Sequence, residues 1–327
     1  MKLPRRSFLH LAAGAAALPT VSRIARADAY PSQPITMVVP FAAGGPNDAI
    51  ARIMAEAMAV SLGQAINIDN VAGSAGSIGT GQVATAAADG YTLCIGYWGT
   101  HVANGALFAL PYDVVNDFEP ISLLVQSPML IVAKNTIPAN DLKELLGWLK
   151  TNPNKVSSAI PGSASHVMSV FFQKETGTQF QLVPYRGAGP AIEDLAQGRI
   201  DMALLDGGPP LAKVRDGAIR AYAVTSKSRL VVAPDIPTAN EAGLPGFYAT
   251  VWFGFWAPKG APRAIIAKLN SATVDALADP KVRTRLNALA QEIFPREQQT
   301  PEALAALQKA EIEKWWPIIK AANIRGE

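Results

Sequence analysis

Residues 35–62 place an apolar strand, a glycine-containing loop and a helix in direct succession, and this unit constrains the fold more than any other stretch of the chain. Residues 35–39 (ITMVV) are typical of a buried strand, which Pro40 ends. A Gly-Gly-Pro sequence at residues 44–46 interrupts regular structure, and apolar residues then recur at helical spacing over residues 50–62. Such a loop either binds an anion, through exposed N–H groups and the positive end of the helix, or is a tight turn without a ligand.

Further units of the same kind follow. Two more strands are predicted at residues 65–69 and 91–96, with a glycine-rich helix start at residues 73–81 between them that faces the same cleft. The β-α-β-α-β order predicts a parallel, doubly wound sheet. A second series over residues 156–205 predicts a second α/β domain. Neither the glycine order of a dinucleotide loop nor a P-loop lysine is present, which argues against a nucleotide ligand.

The first 27 residues have the pattern of an export signal. Lys2 and two adjacent arginines precede an apolar stretch at residues 9–18, and residues 25–27 (ARA) match a cleavage site. The adjacent arginines indicate a twin-arginine signal, with an ordinary secretory signal as the alternative. We expect a periplasmic protein, cleaved near Ala27.

Charge and composition exclude several classes of protein. The chain has 29 Lys and Arg against 26 Asp and Glu, and the signal holds five of those cations and no acid, so the mature chain carries 24 against 26, a net charge near −2. This balance argues against nucleic acid or an acidic membrane surface as partner. Cys94 is the single cysteine of the sequence, and beyond the signal only His101 and His166 are histidines. We therefore expect no disulfide within the chain, no metal ion and no cofactor.

Polar residues that follow the second series of strands are candidates for ligand contact, because open α/β sheets bind ligands at the carboxyl ends of their strands. Ser163 and Ser165 either donate to a carboxylate or cap the helix that they open. His166 is either a third donor or a structural histidine. Tyr185 either lines the cleft or packs at its rim.

Asp206, Arg186, Trp98 and His101 are further candidates for ligand contact. Asp206 either binds an amine or hydroxyl of a ligand or caps the loop at residues 207–210. Arg186 is an anion partner or, more typically for its position, a solvated surface charge. Trp98 follows the strand at residues 91–96, and if it points inward it favours a flat or small ligand. His101 lies in the same stretch and is also a candidate ligand contact.

Motifs spread along the chain resemble those of the Bug-type (TctC-like) substrate-binding receptors of tripartite tricarboxylate transporters. The likeness runs in order from Tyr30 to Ile324. The motifs are residues 40–45 (PFAAGG) with Asp48, 89–93 (DGYTL), Thr100 with His101, 110–113 (LPYD) with Asp117 and Phe118, 183–191 (VPYRGAGPA), 223–226 (AVTS), 234–238 (PDIPT), 241–246 (EAGLPG) and 252–254 (WFG).

The resemblance implies a type II-like periplasmic-binding-protein fold, in which two α/β domains are joined by two crossover strands and hold a solute in the cleft between them. Domain 1 would comprise residues 28–127 and 250–327, and domain 2 residues 128–249. The crossovers would lie near residues 118–134 and 247–258.

The resemblance also implies which residues contact the ligand, a small carboxylate in most members of the family. The first loop would contribute Phe41, Ala42, Ala43 and Gly44, and the facing contacts would come from Ser163, Ala164, Ser165 and His166. Trp98, Thr100, His101, Tyr185 and Asp206 complete the expected site. The family usually has a glycine where this chain has Ile160, which is expected to reshape the pocket.

The function implied is delivery of a small carboxylate by a monomeric receptor to the permease subunits of a tripartite transporter. Two alternatives remain at this point. One is a solute sensor for a membrane kinase. The other is an exported serine hydrolase using Ser77 or Ser163, against which the absence of a recognisable carboxylate–histidine spacing argues.

Overall fold

The computed structural model describes residues 30–326 of the chain. The predicted export signal at residues 1–27 lies outside the described residues. Strands and helices alternate in the order expected of an α/β protein, which confirms the predicted class. The strands are β1 (Ile35–Val39), β2 (Ile66–Asn70), β3 (Thr92–Tyr97), β4 (Phe118–Lys134), β5 (Ser157–Ile160), β6 (Gln181–Pro184), β7 (Met202–Asp206), β8 (Ile219–Val224), β9 (Thr250–Pro258) and β10 (Glu292–Ile293). The helices are α1 (Pro46–Leu62), α2 (Ser77–Ala84), α3 (Asn104–Leu107), α4 (Leu142–Thr151), α5 (Ser163–Thr176), α6 (Ala188–Ala196), α7 (Leu211–Arg215), α8 (Arg263–Ala278), α9 (Pro280–Ala288) and α10 (Pro301–Ala321), and Gly99–Ala103 form a π-helical turn.

The first sheet has the strand order β2-β1-β3-β9-β4. β1 pairs in parallel with both β2 and β3, as the β-α-β-α-β prediction requires. β9 is antiparallel to β3 and to the first part of β4, and β10 pairs antiparallel with β4. The first sheet therefore combines strands from the beginning, middle and end of the chain.

The second sheet has the order β4-β7-β5-β6, and β8 also pairs with β4. β5 is parallel to β6 and β7, whereas β4 is antiparallel to β7 and β8. Residues 118–134, where the resemblance implies a crossover, form one strand of 17 residues, β4, which belongs to both sheets. Register shifts beside Pro120, Leu123 and Ile131 bend β4, as β-bulges do.

Local sequence explains how the first helix begins and ends. Pro46 occupies the first turn of α1, where its missing N–H costs no hydrogen bond. The helix ends at Gly63, which has a φ of 69° and donates its N–H to the Ala59 carbonyl oxygen. A left-handed glycine is a common helix end because it has no Cβ to clash. The local sequence, Pro46 at the start and Gly63 at the end, thus sets both ends of α1.

The buried core extends through both sheets. One apolar cluster contains β1, the central residues of β4 and β9, and residues of α5 such as Met168 and Phe172. Trp315 of α10 contacts Phe171 of α5 with ring centroids 5.3 Å apart, so the last helix packs against α5. Pro317 does not end α10, which continues to Ala321.

The topology brings the carboxyl ends of strands from both sheets towards each other. The loop after β1 lies opposite the loops that follow β5 and β6, and all of them line the same depression. This is where open α/β sheets bind ligands. Within residues 30–326, the structure contains no helix that is both long and apolar enough to span a bilayer.

Candidate ligand-binding cleft

Two adjoining cavities lie between the facing loops. One, of about 260 Å³, contains Asp206 in its wall and is called here the Asp206 compartment. The other, of about 440 Å³, contains Phe108 and is called the Phe108 compartment. They form one cleft because they share the wall residues Phe41, Ala42, Pro161, Gly162, Arg186 and Gly187.

The loop between β1 and α1 forms one wall of the cleft. Phe41 and Ala42 line both compartments, whereas Ala43 and Gly44 line the Asp206 compartment. The backbone N–H of Gly44 donates to a carboxylate oxygen of Asp48 at 2.8 Å. This amide is therefore used within the loop, and the expectation that the glycines present their N–H groups to a ligand does not apply to Gly44.

Hydrogen bonds of the Asp48 carboxylate hold this loop in place. Arg52 Nε donates to both carboxylate oxygens at 3.0 Å, and Asn70 Nδ2 donates to the carboxylate and to the Phe41 carbonyl oxygen, each at 3.0 Å. Although burial acts in the opposite direction, the hydrogen bonds from Arg52, Gly44 and Asn70 lower the pKa of Asp48 below its ordinary value. The loop is thus held by an ionised carboxylate that is fully paired.

The opposite wall comes from the start of α5. Ala164 and Ser165 line the Asp206 compartment, and Ser163 and His166 line the Phe108 compartment. Neither serine caps the helix, because the N-cap residue is Gly162 and no side chain bonds to the first turn. The hydroxyl of Ser163 instead donates to Asn104.

Asn104 links the two walls below the cleft. Its Oδ1 accepts from Ser163 Oγ at 2.6 Å, and its Nδ2 donates to the Ala75 carbonyl oxygen at 3.0 Å and to Ser77 Oγ at 3.1 Å. The two serines weighed as nucleophiles are thus bonded to one amide side chain. A nucleophilic serine needs a base to accept its proton, whereas the Ser163 proton is directed to an amide oxygen.

The glycine-rich start of α2 forms a further wall, as the sequence predicts. Residues 72–76 line the Phe108 compartment. Ser74 and Ala75 have positive φ values of 45° and 51°, which is uncommon for residues other than glycine. At Gly76, with a φ of 89°, an added Cβ would lie 2.7 Å from the Thr100 side chain and 2.8 Å from Phe41. Only glycine fits this close approach.

Three predicted site residues do not reach the cleft. Trp98 is fully buried, and its Nε1 donates to a Glu311 carboxylate oxygen at 2.8 Å. Thr100 is also fully buried and bonds the Tyr97 carbonyl oxygen at 3.1 Å. They differ from the expectation because the chain after β3 enters a π-helical turn, which directs these side chains into the core.

His101 is the third of these residues. Its ring stacks on Trp256 with centroids 3.8 Å apart, and its Nδ1 lies 3.0 Å from Thr100 Oγ1. Burial lowers the pKa of His101 to about 3, so the ring is neutral at any physiological pH. It acts as a packing residue, and the aromatic residues of β9 are buried in the same core.

Tyr97 and Arg186 line the cleft although neither was placed there by the sequence interpretation. Tyr97 packs against Phe41 with ring centroids 5.4 Å apart and lines the Asp206 compartment. Tyr97 is the last residue of β3, and its place at the carboxyl end of a strand is the sequence feature that could have identified it as cleft-lining. Arg186 is exposed and lines both compartments. Tyr185 lines the Phe108 compartment, and its hydroxyl donates to Asp194 at 2.8 Å.

Asp206 is the carboxylate of the cleft wall. It ends β7 and is half-buried. Burial raises its pKa to about 7. The ionised form is therefore stabilised less in the folded protein than in the unfolded chain, and stability falls as pH rises from about 4 towards 7. Within residues 30–326, no group of three or more His, Cys, Asp or Glu side chains is arranged to hold a metal ion.

The variant Asp206→Asn tests this electrostatic cost. In ligand-free protein at pH 8 the substitution is expected to raise the free energy of unfolding by on the order of 1 kcal/mol, because it removes a poorly solvated charge. At pH 3.5, below the ordinary pKa of an aspartate, the carboxyl group is protonated in both the folded and the unfolded protein, and the two proteins are expected to unfold alike. Thermal unfolding at the two pH values measures both, and a stabilisation independent of pH would contradict the explanation.

A family model described as "Tripartite tricarboxylate transporter family receptor" matches residues 50–324. The chain is 40% identical over 313 residues to the UPF0065 protein in the tcbD-tcbE intergenic region of Pseudomonas sp. strain P51, covering 94% of this chain and 92% of the relative. It is 35% identical over 303 residues to the protein BugT of Bordetella pertussis, covering 91% and 92%.

Solved structures show the same architecture. The periplasmic binding protein BugD is 38% identical with a TM-score of 0.84, covering 91% of this chain and 100% of that one. MatC from Rhodopseudomonas palustris, solved with bound malate, is 38% identical with a TM-score of 0.83, covering 89% and 100%. R. palustris Rpa4515, solved with adipate, is 30% identical with a TM-score of 0.85, covering 90% and 99%. The predicted periplasmic-binding-protein fold is confirmed.

Proposed function

Because this chain belongs to the tripartite tricarboxylate transporter family of receptors, we propose that it captures a small carboxylate in its cleft and delivers that solute to a membrane permease. The observation that carries the proposal is the convergence of helix starts on one cleft. The loops before α1, α2, α5 and α6 all line it. Helix N-termini favour negative charge through their unpaired N–H groups and their dipoles.

The relatives support a carboxylate as the ligand. MatC was solved with malate and Rpa4515 with adipate, both dicarboxylic acids. In this chain the wall formed by residues 41–44 would face the solute's carboxylate, and Ala164 and Ser165 would contact it from the other side. Arg186 would add the positive charge that the compartments otherwise lack among their wall residues.

The proposal includes the division of the molecule and its place in the cell. Domain 1 would comprise residues 28–127 with 250–327 and domain 2 residues 128–249, and closure of the two around the solute would be the state that the permease recognises. Export by a twin-arginine signal cleaved near Ala27 would place a monomeric receptor in the periplasm. The family is one of receptors rather than enzymes, and we propose no reaction for the cleft.

Ligand-dependent stability tests the proposed function. A ligand at about 100 times its Kd adds about 2.7 kcal/mol of stability, which corresponds to a rise in melting temperature of about 5 °C for a chain of this size. A library of mono- and dicarboxylic acids, each with its neutral amide as control, is expected to give at least one such shift that the amide does not reproduce. Mass spectrometry of solute released from natively purified protein identifies the ligand independently. Protein that neither shifts with any acid nor releases one would contradict the proposal.

A further inference from the structure

We propose that the Asp206 compartment selects carboxylates that carry a hydrogen-bond donor, a hydroxyl or an ammonium group, close to the carboxyl group, and that Asp206 accepts from that donor. The inference rests on the proposed function and narrows it to a class of solute. It assigns Asp206 as the residue that distinguishes such solutes from unsubstituted acids.

The position of Asp206 is fixed by the strand that it ends. It pairs with Met129 of β4, and the next residue, Gly207, donates its N–H to the Pro128 carbonyl oxygen at 2.8 Å. A Cβ added to Gly208 would lie 2.3 Å from the Leu289 carbonyl oxygen, so the turn after the strand is tightly packed. The side chain of Asp206 is therefore held at the cleft wall. The alternative role, a cap on the following loop, finds no support because the Gly207 N–H bonds elsewhere.

Asp206 has no side-chain partner among the described residues, in contrast to the buried or half-buried carboxylates Asp48 and Asp201. Asp48 is bonded by Arg52, and Asp201 forms an ion pair with Lys134 at 2.6 Å. Within the described part of the chain, no hydrogen bond or ion pair reaches the Asp206 carboxylate. An ionised carboxylate only accepts hydrogen bonds, and a half-buried one without a donor is costly. A donor on the ligand would satisfy it.

The surrounding charges are consistent with this role. Burial, with a contribution from the charge of Asp206, raises the pKa of Tyr97, and Tyr97 lines the same compartment. Arg186, from the loop before α6, is the other charged residue of these walls, and the walls contributed by residues 41–47 and 161–165 contain no titratable side chain. His166 lies in the Phe108 compartment. Among residues 30–326, no positive group is therefore paired with Asp206.

The geometry also limits how far apart the two ligand groups lie. Ala43 and Gly44 of the first loop and Asp206 line one cavity of about 260 Å³. Such a cavity is smaller than most drug-sized ligand pockets. A carboxyl group held near the first loop thus places the neighbouring carbon atoms, rather than a distant end of the molecule, within reach of Asp206. Any larger group would extend into the Phe108 compartment.

Matched triplets of ligands test the inference, because their members differ only in the substituent next to the carboxyl group. The triplets are propanoate, lactate and alanine; succinate, malate and aspartate; and 3-phenylpropanoate, 3-phenyllactate and phenylalanine. By calorimetry at pH 8, the hydroxyl or ammonium member of the triplet that binds is expected to bind about 10- to 100-fold more tightly than the unsubstituted acid. Comparison of the hydroxyl and ammonium members shows which donor is preferred.

The variant Asp206→Ala is expected to lose that preference and to bind the unsubstituted acid at least as tightly as the native protein does, because a negative charge is removed from the cavity. Circular dichroism and thermal unfolding of the ligand-free variant establish that it is folded. Equal losses for all three members would mean that Asp206 supports the cleft structurally, and this would overturn the inference. Binding of carboxylates without any preference for a donor would overturn it while leaving the proposed function intact, whereas no binding by any compound would contradict both.

The dependence of affinity on pH separates this role from a protonated Asp206 that donates to a second carboxylate of the ligand. Accepting from a donor requires the ionised form, so affinity is expected to fall about tenfold between pH 8 and pH 5.5. A donating Asp206 would give the opposite slope, and Asp206→Asn would then retain affinity for the unsubstituted diacid; either result overturns the inference. His166 lines the adjoining Phe108 compartment, so His166→Gln is measured alongside as a control, and the slope is expected to persist in it.

Discussion

Replacement of Gly44 by aspartate is expected to lower the affinity of the cleft for carboxylates about 100-fold. Gly44 lines the Asp206 compartment, and nothing lies within 4 Å of the position of an added Cβ, so a side chain there has room to enter the cavity. A second negative charge about 5 Å from a bound carboxylate costs about 3 kcal/mol at an effective dielectric constant near 20. Calorimetry with the solute recovered from native protein measures the loss.

Gly44→Asn is the matched control, because asparagine has the shape of aspartate without its charge. The φ of Gly44 is 86°, a left-handed conformation that asparagine and aspartate tolerate better than other residues. Both variants therefore carry a similar backbone strain, of about 1–2 kcal/mol, and the difference between them reports the charge alone. We expect the asparagine variant to stay within a few-fold of the native affinity. Equal affinities in two folded variants would show that the carboxylate binds elsewhere.

Replacement of Asn104 by alanine is expected to destabilise the protein by about 2–4 kcal/mol, since it removes the hydrogen-bond partner of the buried hydroxyls of Ser163 and Ser77 and of the half-buried Ala75 carbonyl oxygen. Asn104 is fully buried and joins Ser163 of α5 to Ala75 and Ser77 at the start of α2. These segments belong to opposite walls of the cleft. Denaturant unfolding, which gives the free energy directly, measures the effect.

Two further variants serve as comparisons for the loss of stability in Asn104→Ala. Asn116→Ala removes an exposed asparagine whose Nδ2 bonds Asp113 at 3.1 Å, and a change of no more than about 0.5 kcal/mol is expected. Ser163→Ala removes a single bond of the Asn104 network and is expected to cost about 1–2 kcal/mol. If Asn104→Ala were no more destabilising than Asn116→Ala, the network would not hold the two walls together.

The order of strands and helices was predictable because each unit carries its own local signals. The apolar run at residues 35–39, the proline at the start of α1 and the glycine at its end are all evident in the sequence. The local sequence alone does not predict that residues 118–134 form one continuous strand, β4. Pro128 interrupts the run, and only pairing with β9, β7 and β8, which are distant in sequence, makes residues 118–134 one strand.

The site was predictable in its loops and less so in its side chains. Ala42, Ser165 and Asp206, which were predicted as ligand contacts because they follow strands at their carboxyl ends, line the cleft. Trp98 and His101 were assigned by the same rule, but a π-helical turn reverses their direction, and such turns leave no pattern in the sequence. Likewise, sequence does not show that the Gly44 N–H is already used by Asp48, because that bond depends on the final loop conformation.

The order of the strands in the first sheet has a consequence for folding during synthesis. β9, which lies between β3 and β4, begins at Thr250, and α8 and α10 pack on β4 from still later in the chain. While a ribosome has synthesised only the first 200 residues, the first sheet lacks β9, the strand between β3 and β4, and the edge of β3 is unpaired. That half can therefore complete its folding only after synthesis is nearly finished. A chain truncated before Thr250 is therefore expected to expose an aggregation-prone strand edge rather than to form a shortened receptor.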